Sequence, residues 1–182
     1  DGEKIPSTQW TANTQKQVVE TASVHSGHTM PTTSAASTPS KVSMSSKRIV
    51  DQPADWTNGP DQVIILGTKP GLKFDVTNVQ VKAGSRIKWV FNNNDDMLHN
   101  CVIVKPGMAN SIGDAAIKLG LKGSDMQYVP KSGNVLFHTN ILQPETSESI
   151  YFVAPNEPGD YVFLCTFPGH HTLMQGKMKV TK

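Results

Sequence analysis

Between residues 62 and 181 the chain is written in nine short runs separated by turn-forming residues, at 62–66, 72–76, 78–82, 86–91, 100–104, 135–137, 148–153, 160–164 and 176–181. In RIKWVF, residues 86–91, Ile87, Trp89 and Phe91 share one face while Arg86, Lys88 and Val90 share the other, the period of a half-buried strand. Ala83-Gly84-Ser85 supplies the turn before it. Many short strands of this kind predict an antiparallel β-sandwich or barrel. One segment departs from the pattern. Between Pro106 and Pro130, Ile112, Ala116 and Leu119 fall at helical spacing beside Ala115 and Ile117, and Gly113, Gly120 and Gly123 keep the helix short. The expectation is a helical flap inserted into an all-β domain.

The first third is composed differently. In PTTSAASTPSKVSMSS, residues 31–46, nine of sixteen residues are Ser or Thr and no period survives, so burial cannot offset the entropy of ordering. The expected division is a flexible tail over residues 1–58, tethering the protein to a membrane or a larger protein, and a folded domain over residues 59–182. Within the tail, KRIVDQPADWTNGP, residues 47–60, is expected to pack Ile49 and Trp56 on the domain before a turn at Asn58-Gly59-Pro60. A net charge of +2 is too small to argue for nucleic acid. No apolar run approaches a membrane span, and DGEKIPSTQW lacks the basic start and apolar stretch of a signal peptide. Two cysteines, Cys101 and Cys165, exclude a disulfide-built scaffold.

The chemistry concentrates in CTFPGHHTLMQG, residues 165–176. Alternation along DYVFLC sends Tyr161, Phe163 and Cys165 to one face, so the thiol ends an inward-facing column. A turn at Thr166-Phe167-Pro168-Gly169 lets His170 fold back beside Cys165, and Met174 reaches the same point before the last strand. A second imidazole stands at His99, in MLHN just ahead of CVIV. Taken singly, Cys165 reads as a buried strand cysteine, His99 as a turn residue and Met174 as core. Taken together, two imidazoles, a thiolate and a thioether suit one copper ion, because sulfur favours Cu(I) while imidazole tolerates both oxidation states.

The same residues resemble the copper-binding pattern of azurin, in the blue-copper cupredoxin family. CTFPGHHTLMQGKMKV with MLHN carries the likeness, and GLKFDVTNVQVKAG, FHTNIL and SESIYFV follow in azurin's order over roughly residues 60–182. The resemblance implies a Greek-key β-sandwich with a type 1 copper centre. It implies His99, Cys165 and His170 as strong ligands, Met174 as the axial one, and the Leu98 carbonyl as a further weak contact. Asn100 would tie the two ligand segments together, and the N–H groups of Asn100 and Phe167 would bond the thiolate. His170 would reach solvent through an apolar surface of Met97, Phe167 and Pro168, an electron port. Azurin's disulfide has no counterpart, since no cysteine lies around Val63 or Ser85. The Ser/Thr-rich tail is similar to those of tethered cupredoxins of the auracyanin type.

The remaining candidates have plainer readings. Cys101 is expected to be a buried inert thiol forming no disulfide with Cys165, His138 a strand-end residue and His171 an exposed one. HSGHTM, with His25, His28 and Met30, offers a weak second copper site. The function implied is one-electron transfer between redox proteins such as cytochromes, reductases or dehydrogenases, in the periplasm or on the outer face of a bacterial membrane. The alternative is a copper module for storage, delivery or sensing. Multicopper enzymes need further histidine clusters that the β-domain lacks, a cysteine protease would need an Asn or Asp partner motif that Cys165 does not have, and structural zinc has little use for methionine. No catalytic residue is expected.

Overall fold

In a computed structural model of the chain, residues 47–182 are described. The Ser/Thr-rich segment with His25, His28 and Met30 lies outside the described residues. Among the described residues nine strands form: β1 (Gln62–Lys69), β2 (Lys73–Phe74), β3 (Asn78–Lys82), β4 (Arg86–Asn93), β5 (Val102–Val104), β6 (Val135–His138), β7 (Thr146–Val153), β8 (Gly159–Leu164) and β9 (Gln175–Thr181). They divide into a four-stranded sheet in the order β2-β1-β4-β7 and a five-stranded sheet in the order β3-β9-β8-β5-β6. The fold is a Greek-key sandwich of two sheets, so the barrel alternative falls away. The expected uniform antiparallel pairing also needs correction: β1 runs parallel to β4 and β3 parallel to β9. Alternation of side chains is the same in both pairings, so the sequence pattern carries no mark of direction.

The core lies between the sheets and is aromatic. Ile87, Trp89 and Phe91 are all fully buried, as the alternation requires. Phe163 packs edge-on against Trp89 at 5.3 Å and against Phe74 at 5.1 Å. Each such side chain contributes about 1.5–3 kcal/mol by leaving water. The Phe163 ring lies across the backbone of its cross-strand partner Gly176, where a Cβ would come within 2.1 Å of it.

The flap is α1 (Ala109–Ile117), followed by a 3₁₀ turn at Gly120–Lys122. Ala109, Ile112 and the sheet residues Val102, Val104, Val135 and Leu164 form a second, smaller core, which places the flap on the outer side of β5 and β8. Leu119, expected in the helix, caps the turn instead.

Residues 47–49 lie across both edge strands on one side of the sandwich. His138 of β6 donates its N–H to the Lys47 carbonyl at 3.0 Å, and Tyr151 of β7 donates to the Ile49 carbonyl at 2.8 Å. Trp56 is buried edge-on against Tyr151, 6.1 Å between centroids, and Ile49 is half-buried. Arg48 grips Glu148 through two nitrogens at 2.5 and 3.1 Å. Satisfying the backbone groups of edge strands removes a template for unwanted pairing.

Candidate metal centre

Cys165 follows directly on β8, and its N–H donates to the carbonyl of Met174 at 3.1 Å, closing the loop between β8 and β9. Inside that loop His170 N–H bonds the Phe167 carbonyl at 3.0 Å and Met174 N–H bonds the His170 carbonyl at 2.9 Å. Gly169 sits at φ 85°, in the left-handed region that lets the chain reverse without a Cβ penalty. His99 arrives from the other side, held by a two-way backbone bridge with Leu142 at 2.7 and 3.3 Å.

Asn100 joins the two segments. Its Oδ1 accepts the Thr166 N–H at 2.8 Å, and its Nδ2 donates to the Thr166 hydroxyl and to the Gln127 carbonyl, each at 2.9 Å. Both Asn100 and Thr166 are buried. These hydrogen bonds connect the His99–Asn100 segment to the loop that carries Cys165.

Three donor atoms converge. The Nδ1 atoms of His99 and His170 are 3.2 Å apart, and Cys165 Sγ is 3.7 Å from the first and 3.6 Å from the second. A triangle with those sides has its three corners about 2.0 Å from a common centre, the length of a bond from imidazole nitrogen to a first-row metal and slightly short of one from thiolate. The residues therefore fit a single ion. His99 and Cys165 are fully buried, His170 is 3% exposed, and Met174, also fully buried, packs in the same core cluster as Cys165.

Burial governs the protonation of these groups. It pushes the Cys165 thiol up to about 12, against the pull of hydrogen bonds from the backbone N–H groups of Asn100 and Phe167. It carries His170 down to about 4, helped by the neighbouring His99, and lowers His99 against the opposing carboxylate of Asp95. Both imidazoles are therefore neutral near pH 7, the form that binds metal. The thiol keeps its proton until a cation displaces it.

One expectation needs correction here, and one residue was missed. His171, expected at the surface, is 6% exposed. Its ring lies against Gly113 of α1, where a Cβ would come within 2.1 Å of it, and its Nε2 stands 3.4 Å from Asp114 Oδ1. The flap covers this histidine, and alternation within one loop could not show that. Asp95, in the run NNNDDMLHN, brings Oδ2 to 3.4 Å from the Nε2 of His99. The other expectations divide. Met97 is 42% exposed, Pro168 is exposed and Phe167 is half-buried with its ring on Tyr128, and Leu173, in the same loop as His170, is 66% exposed. Leu98 is half-buried beside His99, and His138 ends β6. Cys101 and Cys165 are both free and buried.

Comparison with known proteins points the same way. The model of the copper binding proteins of the plastocyanin/azurin family matches residues 62–181. Auracyanin-A of Chloroflexus aurantiacus is 33% identical over 125 residues, covering 68% of this chain and 76% of that protein. The azurin of Bordetella pertussis is 41% identical over 88 residues, which make up 46% of this chain and 56% of the azurin. The crystal structure of dithionite-reduced auracyanin from the photosynthetic bacterium Roseiflexus castenholzii superposes with a TM-score of 0.61 at 35% identity, covering 68% of this chain and 100% of that one.

Proposed function

The chain belongs to the plastocyanin/azurin family of copper-binding proteins, and we propose that His99, Cys165 and His170, with Met174 as axial ligand and the Leu98 carbonyl as a weak further contact, hold its copper. The protein is a cupredoxin whose function is one-electron transfer at a mononuclear type 1 copper centre. Copper bound there supplies a Cu(II)/Cu(I) couple. The observation that carries the assignment is the convergence of two buried nitrogens and one buried sulfur at 3.2 to 3.7 Å.

The rest of the machinery follows from what surrounds those atoms. The scaffold holds the donors by backbone bonds on both sides, so little has to move when the charge of the site changes by one. The N–H groups of Asn100 and Phe167 stabilise the thiolate and draw electron density from it. His170 lies closest to solvent among the four side chains and links the centre to the apolar surface of Met97, Phe167 and Pro168. Redox proteins such as cytochromes, reductases or dehydrogenases dock there, and no substrate is transformed. Burial of the donors opposes the rapid exchange that storage or delivery would require. The place of work is outside the cytoplasm, in the periplasm or on a membrane's outer face, a reading supported by the family and by the composition of residues 31–46. None of the described helices is long and apolar enough to cross a membrane.

Copper reconstitution tests the assignment. The expected result is an intense visible sulfur-to-copper band and a reversible one-electron wave, both lost in Cys165→Ser and both kept in Cys101→Ala. A colourless copper-loaded protein refutes it.

A further inference from the structure

His99 uses Nδ1 toward Cys165 and His170, so its second nitrogen, Nε2, points the other way. That atom is fully buried and makes no hydrogen bond of ordinary geometry. The polar group it faces is the carboxylate of Asp95, whose Oδ2 stands 3.4 Å away and whose side chain is only 9% exposed. A slightly closer approach and a small turn of either side chain, to bring the N–H into line with the carboxylate oxygen, would make this contact a hydrogen bond. The carboxylate is itself held in place: Oδ1 accepts the Asp96 N–H at 2.8 Å, and the Asp95 N–H bonds Asn93 Oδ1 at 3.2 Å. Asn93, fully buried, is anchored to the Met97 and Leu142 carbonyls at 2.7 and 3.1 Å.

We propose that Asp95 is a positioning residue for the copper centre, accepting the Nε2–H of His99 and thereby fixing the tautomer that presents Nδ1 to the ion. The inference rests on the copper assignment. A carboxylate behind a ligand histidine orients the ring and raises its basicity. Its negative charge also acts differently on the two oxidation states. With one thiolate among the ligands, the oxidised centre carries one net positive charge and the reduced centre none. Asp95 therefore favours Cu(II) over Cu(I), opposing the N–H groups that face the sulfur.

The test compares Asp95→Asn, which keeps an acceptor but loses the charge, with Asp95→Ala, which loses both. Asp96→Asn is the control for an exposed carboxylate next door. Nitrogen-15 NMR of the metal-free proteins at pH 8 reads the His99 tautomer, and competition titrations with Cu(II) and Cu(I) read the affinity ratio. We expect a single Nε2–H tautomer in the wild type and a mixture in Asp95→Ala. We expect Asp95→Asn to lower the Cu(II)/Cu(I) affinity ratio by about tenfold, a rise of about 59 mV in potential for one electron, and Asp96→Asn to change it far less. Equal changes in Asp95→Asn and Asp96→Asn, or an unaltered tautomer in Asp95→Ala, overturn the proposal. Failure of the wild type to take up copper overturns the copper assignment instead, and the tautomer readout still decides whether Asp95 holds His99.

Discussion

Replacing Asn100 by alanine removes one side chain that serves both halves of the metal centre. Its hydrogen bonds to the Thr166 N–H and hydroxyl and to the Gln127 carbonyl go with it. Thr166 is 1% exposed, so its N–H is left without water or partner, a loss of about 1–3 kcal/mol. The Thr166 hydroxyl loses a neighbour but can rotate, and Gln127 is half-buried and its carbonyl can hydrate, so these add about 1 kcal/mol between them. The expected loss is about 2–4 kcal/mol of folding stability in the metal-free protein, measured as a fall in the urea midpoint at constant slope. The same change frees the ligand segments from each other and should weaken metal binding by about 10- to 100-fold. Thr166→Val, which keeps the N–H, should cost less, and the double variant should be less than additive because the partners are shared. An Asn100→Ala protein within about 0.5 kcal/mol of wild type, the range of ordinary surface changes, with unaltered metal affinity, would refute the bridging role.

Two further outcomes follow from the packing and charge of the domain. Gly113→Ala should destabilise by about 1–3 kcal/mol in thermal unfolding, because the new methyl overlaps the buried His171 ring. Gly133→Ala, which meets nothing within 4 Å, should be neutral or slightly stabilising, and a Gly113→Ala protein that gains stability would contradict the flap's close approach. The guanidinium of Arg86 holds the Asp61 carboxyl down at about 2 from 3.8. A lowered folded value means that this contribution to stability is complete above about pH 4 and is lost as pH falls through about 2. In Arg86→Gln the carboxyl should return toward the ordinary carboxylate range by carbon-13 NMR, and an unmoved titration would rule the pair out.

Strand existence was legible because side-chain alternation is local. The buried triplet Ile87, Trp89 and Phe91 follows from residues 86–91 alone, and β3 occupies residues 78–82, as its pattern requires. The flap's position was legible from Ile112 and Ala116. The donors were legible as chemical types: a thiol at a strand end, a turn that reverses the chain, an imidazole five residues on. What alternation could not supply was the direction of pairing, which for β3 and β9 joins Asn78 to Lys177.

The sequence by itself therefore determined which side chains point inward and which atoms are soft enough for copper. Only the tertiary structure decided that His99, 66 residues before Cys165, arrives within 3.7 Å of it. It also decided that α1 covers His171 and that Asp95 stands behind His99. Periodicity is set by the backbone of one segment, whereas the meeting of two loops depends on sheet register and on the packing of an inserted helix. Those are sums over many non-local contacts, and no single stretch of the chain contains them.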